Sequence, residues 1–125
     1  MKLLLDTHVL LWWLASPEAL APAALKAIES PTNEIYVSAA SLWEMSIKQH
    51  LGKLTLPGNP VDVLASMGFA MLDISAEHGW RAGDLPPHHK DPFDRMLVAQ
   101  ADIESMVLVT RDSHIPKYGT PVLPA

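Results

Sequence analysis

Asp6, Glu44, Asp94 and Asp112 are acids set where a water-seeking side chain has little structural reason to be. Asp6 ends the apolar run Met1-Lys2-Leu3-Leu4-Leu5, and Glu44 follows Ala39-Ala40-Ser41-Leu42-Trp43. Asp94 opens Arg95-Met96-Leu97-Val98-Ala99-Gln100-Ala101, and Asp112 follows Met106-Val107-Leu108-Val109. Two of these acids mark the carboxyl ends of expected strands, where open α/β sheets place their ligand sites. Acids that converge without basic partners repel one another unless a divalent cation holds them. The chemistry this implies is a Mg2+ or Mn2+ site acting on phosphoryl groups.

Each acid also has a plain structural explanation. Asp6 and Asp112 can each cap a helix that follows a strand. Glu44 becomes a capping-box glutamate if Ser41 is the cap, although Leu42, Trp43 and Met45 around it suggest a buried helix start. In Asp91-Pro92-Phe93-Asp94-Arg95, Asp91 suits the cap, Pro92 the first helical position and Asp94 the inward-looking third. An Asp94–Arg95 surface pair is the competing reading there, and it would contribute little. The spacing alone leaves both the caps and the metal site open.

The elements that must position these acids read as strands alternating with helices. Lys2–Leu5, Glu34–Val37, Phe69–Ile74 and Met106–Val109 are expected strands, with Pro121–Leu123 a small fifth. Their continuous apolar character suits strands covered on both faces. A helix is expected over His8–Ala15, capped by Thr7 and with Leu10, Leu11 and Leu14 on one face. A second starts at Ser16-Pro17-Glu18 and reaches about Glu29, and a third runs from a Ser38 or Ser41 cap to Gly52. Leu54-Thr55-Leu56-Pro57-Gly58 reads as a connector, and Pro60–Met67, closed by Gly68, as a short helix. A further short helix follows Ser75, Gly83–His89 is irregular, and Pro92 starts a helix to about Glu104. This alternation predicts an α/β fold, a three-layer α/β/α sandwich on a small, mostly parallel sheet. Right-handed crossovers would bring Asp6 and Asp112 to one sheet edge, within reach of Glu44 and Asp94.

Residues 1–125 are of a size for one domain with a real core. With no cysteine there is neither a disulfide framework nor a thiolate zinc site. The first apolar run is too short for a signal peptide, and no stretch suits a membrane span, so a cytoplasmic protein without membrane association is expected. A net charge of −5 argues against a general nucleic-acid coat but not against a nuclease with an acidic metal site.

Four segments carry a resemblance: Leu3-Leu4-Leu5-Asp6-Thr7-His8, Val37-Ser38-Ala39-Ala40-Ser41-Leu42-Trp43-Glu44, His89 to Ala101, and Leu108-Val109-Thr110-Arg111-Asp112. In order and approximate spacing the chain resembles, from end to end, the PIN-domain ribonucleases of the kind found as VapC toxins in toxin–antitoxin pairs. The resemblance implies metal-dependent RNA cleavage, with the family's acids on Asp6, Glu44, Asp94 and Asp112. Asp91 belongs to the local pattern, and the family's small hydroxyl residue falls on Thr110. Asp6 and Asp94 would bind the metal directly, Asp112 would share it or hold its water, and Glu44 would orient water or bind a second ion. It further implies a small antitoxin partner carrying a DNA-binding domain, and a homodimer. Helices spanning Val9–Leu14 and Ala19–Ile28 offer apolar surface for such a partner.

Other residues carry weaker signals. His88-His89 reads first as a solvated loop, since neighbours in sequence cannot easily face one site together. Lys48, Lys53, Arg81, Lys90, Arg95, Arg111 and Lys117 are candidates for phosphate contact. Trp12, Trp13, Trp43 and Trp80 can stack bases, but their spacing and apolar neighbours favour packing. An aspartyl phosphatase fits poorly, with His8 where a second aspartate is needed, and no Gly-x-Gly-x-x-Gly supports a dinucleotide enzyme. The rival from another class is a non-catalytic RNA- or protein-binding module on the same fold.

Overall fold

In the computed structural model, which describes residues 1–56 and 58–125, five strands form one sheet. They are β1 (Lys2–Leu5), β2 (Glu34–Ser38), β3 (Ala70–Leu72), β4 (Val107–Thr110) and β5 (Val122–Pro124), in spatial order β3-β2-β1-β4-β5. All four pairings are parallel; Leu4 lies between Tyr36 of β2 and Leu108 of β4. The helices are α1 (Thr7–Ala15), α2 (Pro22–Glu29), α3 (Ala39–His50), α4 (Pro60–Ser66), α5 (Ala76–Asp84) and α6 (Pro92–Glu104). Short 3-10 turns occupy Pro17–Ala19 and Ile115–Tyr118.

Alternation along the central strands divides the core into two layers. Leu3 and Leu5 of β1 pack with Val9, Leu10, Ala24, Ile28, Met45 and Leu64 from α1 to α4. Leu4 faces the other way, onto Leu97, Val98 and Ala101 of α6. α5 packs along α6, which completes the α/β/α sandwich. No helix among the described residues is long and apolar enough to cross a membrane.

Several boundaries differ from expectation for identifiable reasons. The helix expected from Ser16 is broken: Pro17 starts a single 3-10 turn, Leu20 and Ala21 are extended, and Pro22 starts α2 anew. Thr7 is not the cap of α1. Asp6 takes that role by accepting from the His8 N–H at 3.1 Å, and the Thr7 hydroxyl donates to Ser41 at 2.9 Å. Ser38 rather than Ser41 caps α3, accepting from the Ala40 N–H, so Glu44 is not a capping-box glutamate. β3 is shorter than expected, and α5 extends through Gly83 into the stretch expected to be irregular. Gly52 and Gly68 do end α3 and α4, at φ of 76° and 83°, where a side chain would be strained. Of the expected connector, Pro57 lies outside the described residues.

A buried polar chain fastens the two layers. The Ser38 hydroxyl donates to Gln100 Oε1 at 2.6 Å, and the Gln100 amide donates to the Asp73 carbonyl. Gln100 is fully buried in α6, so removing its amide strands the Ser38 donor. We expect Gln100→Leu to lower stability by about 1–3 kcal/mol, the penalty for an unpaired buried donor, as read from urea unfolding.

Candidate functional site

The sheet reverses its winding between β1 and β4, since β1 leads outward to β2 and β4 outward to β5. Ligand sites in open α/β sheets lie at such a switch point, off the strand carboxyl ends. Asp6 follows β1 there, and its N–H donates to the Val109 carbonyl at 3.0 Å. Asp6 is only 3% exposed. The Thr110 hydroxyl donates to its Oδ2 at 2.6 Å and also accepts from the Asp112 N–H at 3.0 Å. Thr110 thus joins the acids that follow the two central strands.

Asp94 enters from the first turn of α6. Asp91 caps that helix, its Oδ1 accepting from the N–H groups of Phe93 at 2.8 Å and Asp94 at 3.3 Å, so the Asp91 carboxylate is largely engaged by backbone. Glu44 comes from α3, which starts where β2 ends, with no intervening loop. Its Oε2 meets Lys48 Nζ at 3.1 Å, while Oε1 is buried with no hydrogen-bond partner among the described residues.

His89 belongs to this cluster, against the solvated-loop reading. Its Nε2 lies 2.7 Å from Asp112 Oδ2 and 3.1 Å from Asp94 Oδ2. Its Nδ1 accepts from the Asp91 N–H, which fixes the ring and leaves the proton on Nε2. The expectation that two adjacent histidines cannot share a site holds: His88 packs edge-on against Tyr118 instead. A local signal existed, because a histidine two positions before a helix cap can bond the cap's own N–H.

The carboxylates lie close enough to raise one another's pKa. Burial of the Asp94 carboxyl, followed by the charges of Asp6 and Asp91, pushes its pKa up to about 7, with Asp112 adding repulsion and His89 opposing it. Burial raises Asp6 as well, against the hydrogen bonds from Thr110 and His8; Glu44 adds to the rise. At His89, burial disfavours the imidazolium, but the hydrogen bond and charge of Asp112, with the charges of Asp94 and Asp91, outweigh it and raise the pKa. Burial also works to raise Asp112, yet the His114 N–H and His89 hold it below the ordinary carboxylate value.

Donor atoms of His89, Asp94 and Asp112 all lie within 4.8 Å of one another, a spacing that can hold a metal ion. The unpartnered Glu44 oxygen and the repelling Asp6 and Asp94 carboxylates suit a cation in the same region. The donors are predominantly hard oxygens, which fit a divalent cation of the Mg2+ or Mn2+ kind; the imidazole favours the latter.

Several residues considered for phosphate contact are committed elsewhere. Arg95 donates to the carbonyls of Ala82, Gly83, Leu85, Pro86 and His89, and neither pairs with Asp94 nor faces outward. Arg111 donates to the Ala19 and Ala125 carbonyls and lies 4.3 Å over the Trp12 ring. Arg81 faces Asp102 at 3.7 Å.

Residues 3–120 match the family model for the PIN domain. Ribonuclease VapC22 of Mycobacterium tuberculosis (strain ATCC 25618 / H37Rv) is 31% identical over 121 residues, covering 94% of this chain and 92% of that protein. Among solved structures, VapBC2 from Rickettsia felis bound to a promoter DNA fragment superposes with a TM-score of 0.72 at 16% identity, over 99% of this chain and 98% of the other. FitAcB from Neisseria gonorrhoeae gives a TM-score of 0.65 at 19% identity, over 97% and 96% of the two chains.

A carboxyl at about 7 when folded and 3.8 when unfolded binds its proton more tightly in the fold. Its contribution to stability is therefore present at low pH and lost as pH rises from about 4 to about 7. We expect the metal-free chain to lose more thermal stability across that window than Asp94→Asn does. Stabilisation by added Mn2+ should grow over the same window, because ligating carboxylates must be ionised. Paired melts with and without Mn2+ measure both trends.

Proposed function

The chain belongs to the PIN-domain family, and from that premise we propose that it is a metal-dependent ribonuclease, the toxin of a VapBC-type toxin–antitoxin pair, with residues 1–125 as its single nuclease domain. The observation that carries the reading is the set of mutually repelling acids, with an orphaned glutamate oxygen, at the sheet's switch point. Asp6, Glu44, Asp94 and Asp112 are the proposed active-site acids, and they would hold Mg2+ or Mn2+ together with His89. When bound, such an ion neutralises phosphate charge and acidifies a water enough to attack near neutral pH.

The chain's own residues have separable tasks in this reading. The Thr110 hydroxyl and the His8 N–H oppose the rise that burial imposes on the Asp6 pKa, which favours a negative charge at the buried end of the site. Without the ion, His89 carries a proton at Nε2 between Asp94 and Asp112 and sets the orientation of both carboxylates; it would give up that proton to hold the ion. Thr110 positions Asp6 relative to the start of the segment that bears Asp112. Glu44, tethered on one oxygen by Lys48, presents the other with no hydrogen-bond partner among the described residues. Asp91 acts chiefly as the helix cap that aims Asp94.

The solved structures of similar fold include a toxin–antitoxin complex from Klebsiella pneumoniae, which supports an antitoxin partner here. An apolar groove of about 250 Å3 lies between α1 and α4, lined by Leu11, Leu14, Leu54, Leu56, Val63 and Met67. The α1–α2 face considered from sequence is less open, because Ala24 and Ile28 are buried in the core. We assign the α1–α4 groove to an apolar segment of the antitoxin.

Incubation of a mixed RNA pool with the protein and Mg2+ or Mn2+ tests the activity. Cleavage should require the metal, and folded Asp6→Asn and Asp94→Asn should each lose about two orders of magnitude or more. His89→Gln, which removes the imidazole nitrogen but keeps a polar side chain, should weaken Mn2+ binding by about ten- to a hundredfold in calorimetry. Folded, metal-loaded protein that binds RNA without cutting it would instead establish the binding-module alternative.

A further inference from the structure

We propose that the groove between α3 and the start of α6 is a track for single-stranded RNA leading to the acid cluster, an inference that rests on the nuclease reading. Trp43 and Ile47 of α3 and Leu51 at its C-cap recur every fourth residue and are 62%, 38% and 59% exposed. The stripe continues across to α6, where the Phe93 ring meets Trp43 edge-on at 5.2 Å. Beside it runs a groove of about 440 Å3, whose lining includes Glu44, Lys48, Lys53, Lys90 and Asp91. The groove thus reaches Glu44 of the acid cluster, whose Oε1 has no hydrogen-bond partner among the described residues.

The disposition of cations selects the occupant. The chain has nine basic residues against fourteen acidic ones. Its three arginines are engaged with backbone carbonyls or with Asp102. Three lysines line this one groove, and among the described residues no carboxylate lies within salt-bridge distance of Lys53 or Lys90. Exposed aromatic rings beside unpaired lysines suit a single strand, because bases stack on rings and phosphates meet ammonium groups. A duplex hides its base faces and cannot use the Trp43–Phe93 edge. A second copy docked two-fold on this face would bring the same lysines toward themselves, an arrangement opposed by their charge. The exposure of this apolar stripe is explained by a ligand that is itself part aromatic and part anionic.

Binding can be separated from cleavage in the Asp94→Asn background, by fluorescence anisotropy of a labelled single-stranded oligoribonucleotide of mixed sequence. Trp43→Ala should weaken binding about tenfold, and Trp43→Phe should restore most of it. Lys53→Gln with Lys90→Gln should weaken binding and reduce the slope of log affinity against log salt by about 1.4, at about 0.7 per phosphate contact. Lys26→Gln with Lys117→Gln should change neither. If the native chain cleaves RNA while all groove variants bind as tightly as the parent, the track lies elsewhere and the nuclease reading survives. If the native chain neither binds nor cleaves RNA, both fall. If Trp43→Ala instead dissociates a dimer in sedimentation, with RNA affinity unchanged, the face belongs to a second copy and the proposal is overturned.

Discussion

One hydroxyl organises the carboxyl edge of the sheet. Thr110 Oγ1 donates to the buried carboxylate after β1 and accepts from the backbone of the acid after β4. Without that link Asp6 would be a desolvated charge with little to hold it, since burial disfavours its ionised form. With it, Asp6 is fixed, and the repulsion it exerts falls on Asp94. No arginine ties these acids: Asp6 is held by a hydroxyl and a backbone N–H, Asp112 by the His114 N–H and His89, Asp94 by His89 and Glu44 by Lys48. The hydroxyl and backbone ties orient Asp6 without neutralising it, which leaves its charge available to a cation.

The arginines serve the scaffold instead. Arg95 gathers carbonyls from the end of α5 and from the loop that carries His89. A planar guanidinium with several donors suits this better than a lysine ammonium. The loop between α5 and α6 has no strand or helix to satisfy its carbonyls, and the side chain next to Asp94 supplies the missing donors. The same helical turn thus presents an acid to the site and anchors the loop that brings a histidine to that acid.

What was legible in sequence followed from periodicity and punctuation. Continuous apolar runs identified the central strands, and Asp91-Pro92 located the start of α6 to the residue, because cap and proline preferences act locally. The convergence of Asp6 with Asp112 followed from parallel topology alone. The misses were matters of tertiary competition. Thr7 and Ser41 both looked like caps, but each hydroxyl found the other across 34 positions of sequence. His89 looked solvated because the carboxylates that fix it come from α6 and from beyond β4. Trp43 looked like packing by its neighbours, yet the inward face of α3 is filled by Ala40, Ser41, Glu44 and Met45.

The sheet's two margins, β3 and β5, are only three residues long, and β5 ends in a proline that lacks an N–H. Neither margin offers the long row of free donors and acceptors on which an extended peptide can assemble. Recognition by strand addition is closed to this molecule. Whatever associates with it must read side chains on helix faces or in grooves, so its specificity is carried by surface residues that can change without disturbing the backbone ladder beneath them.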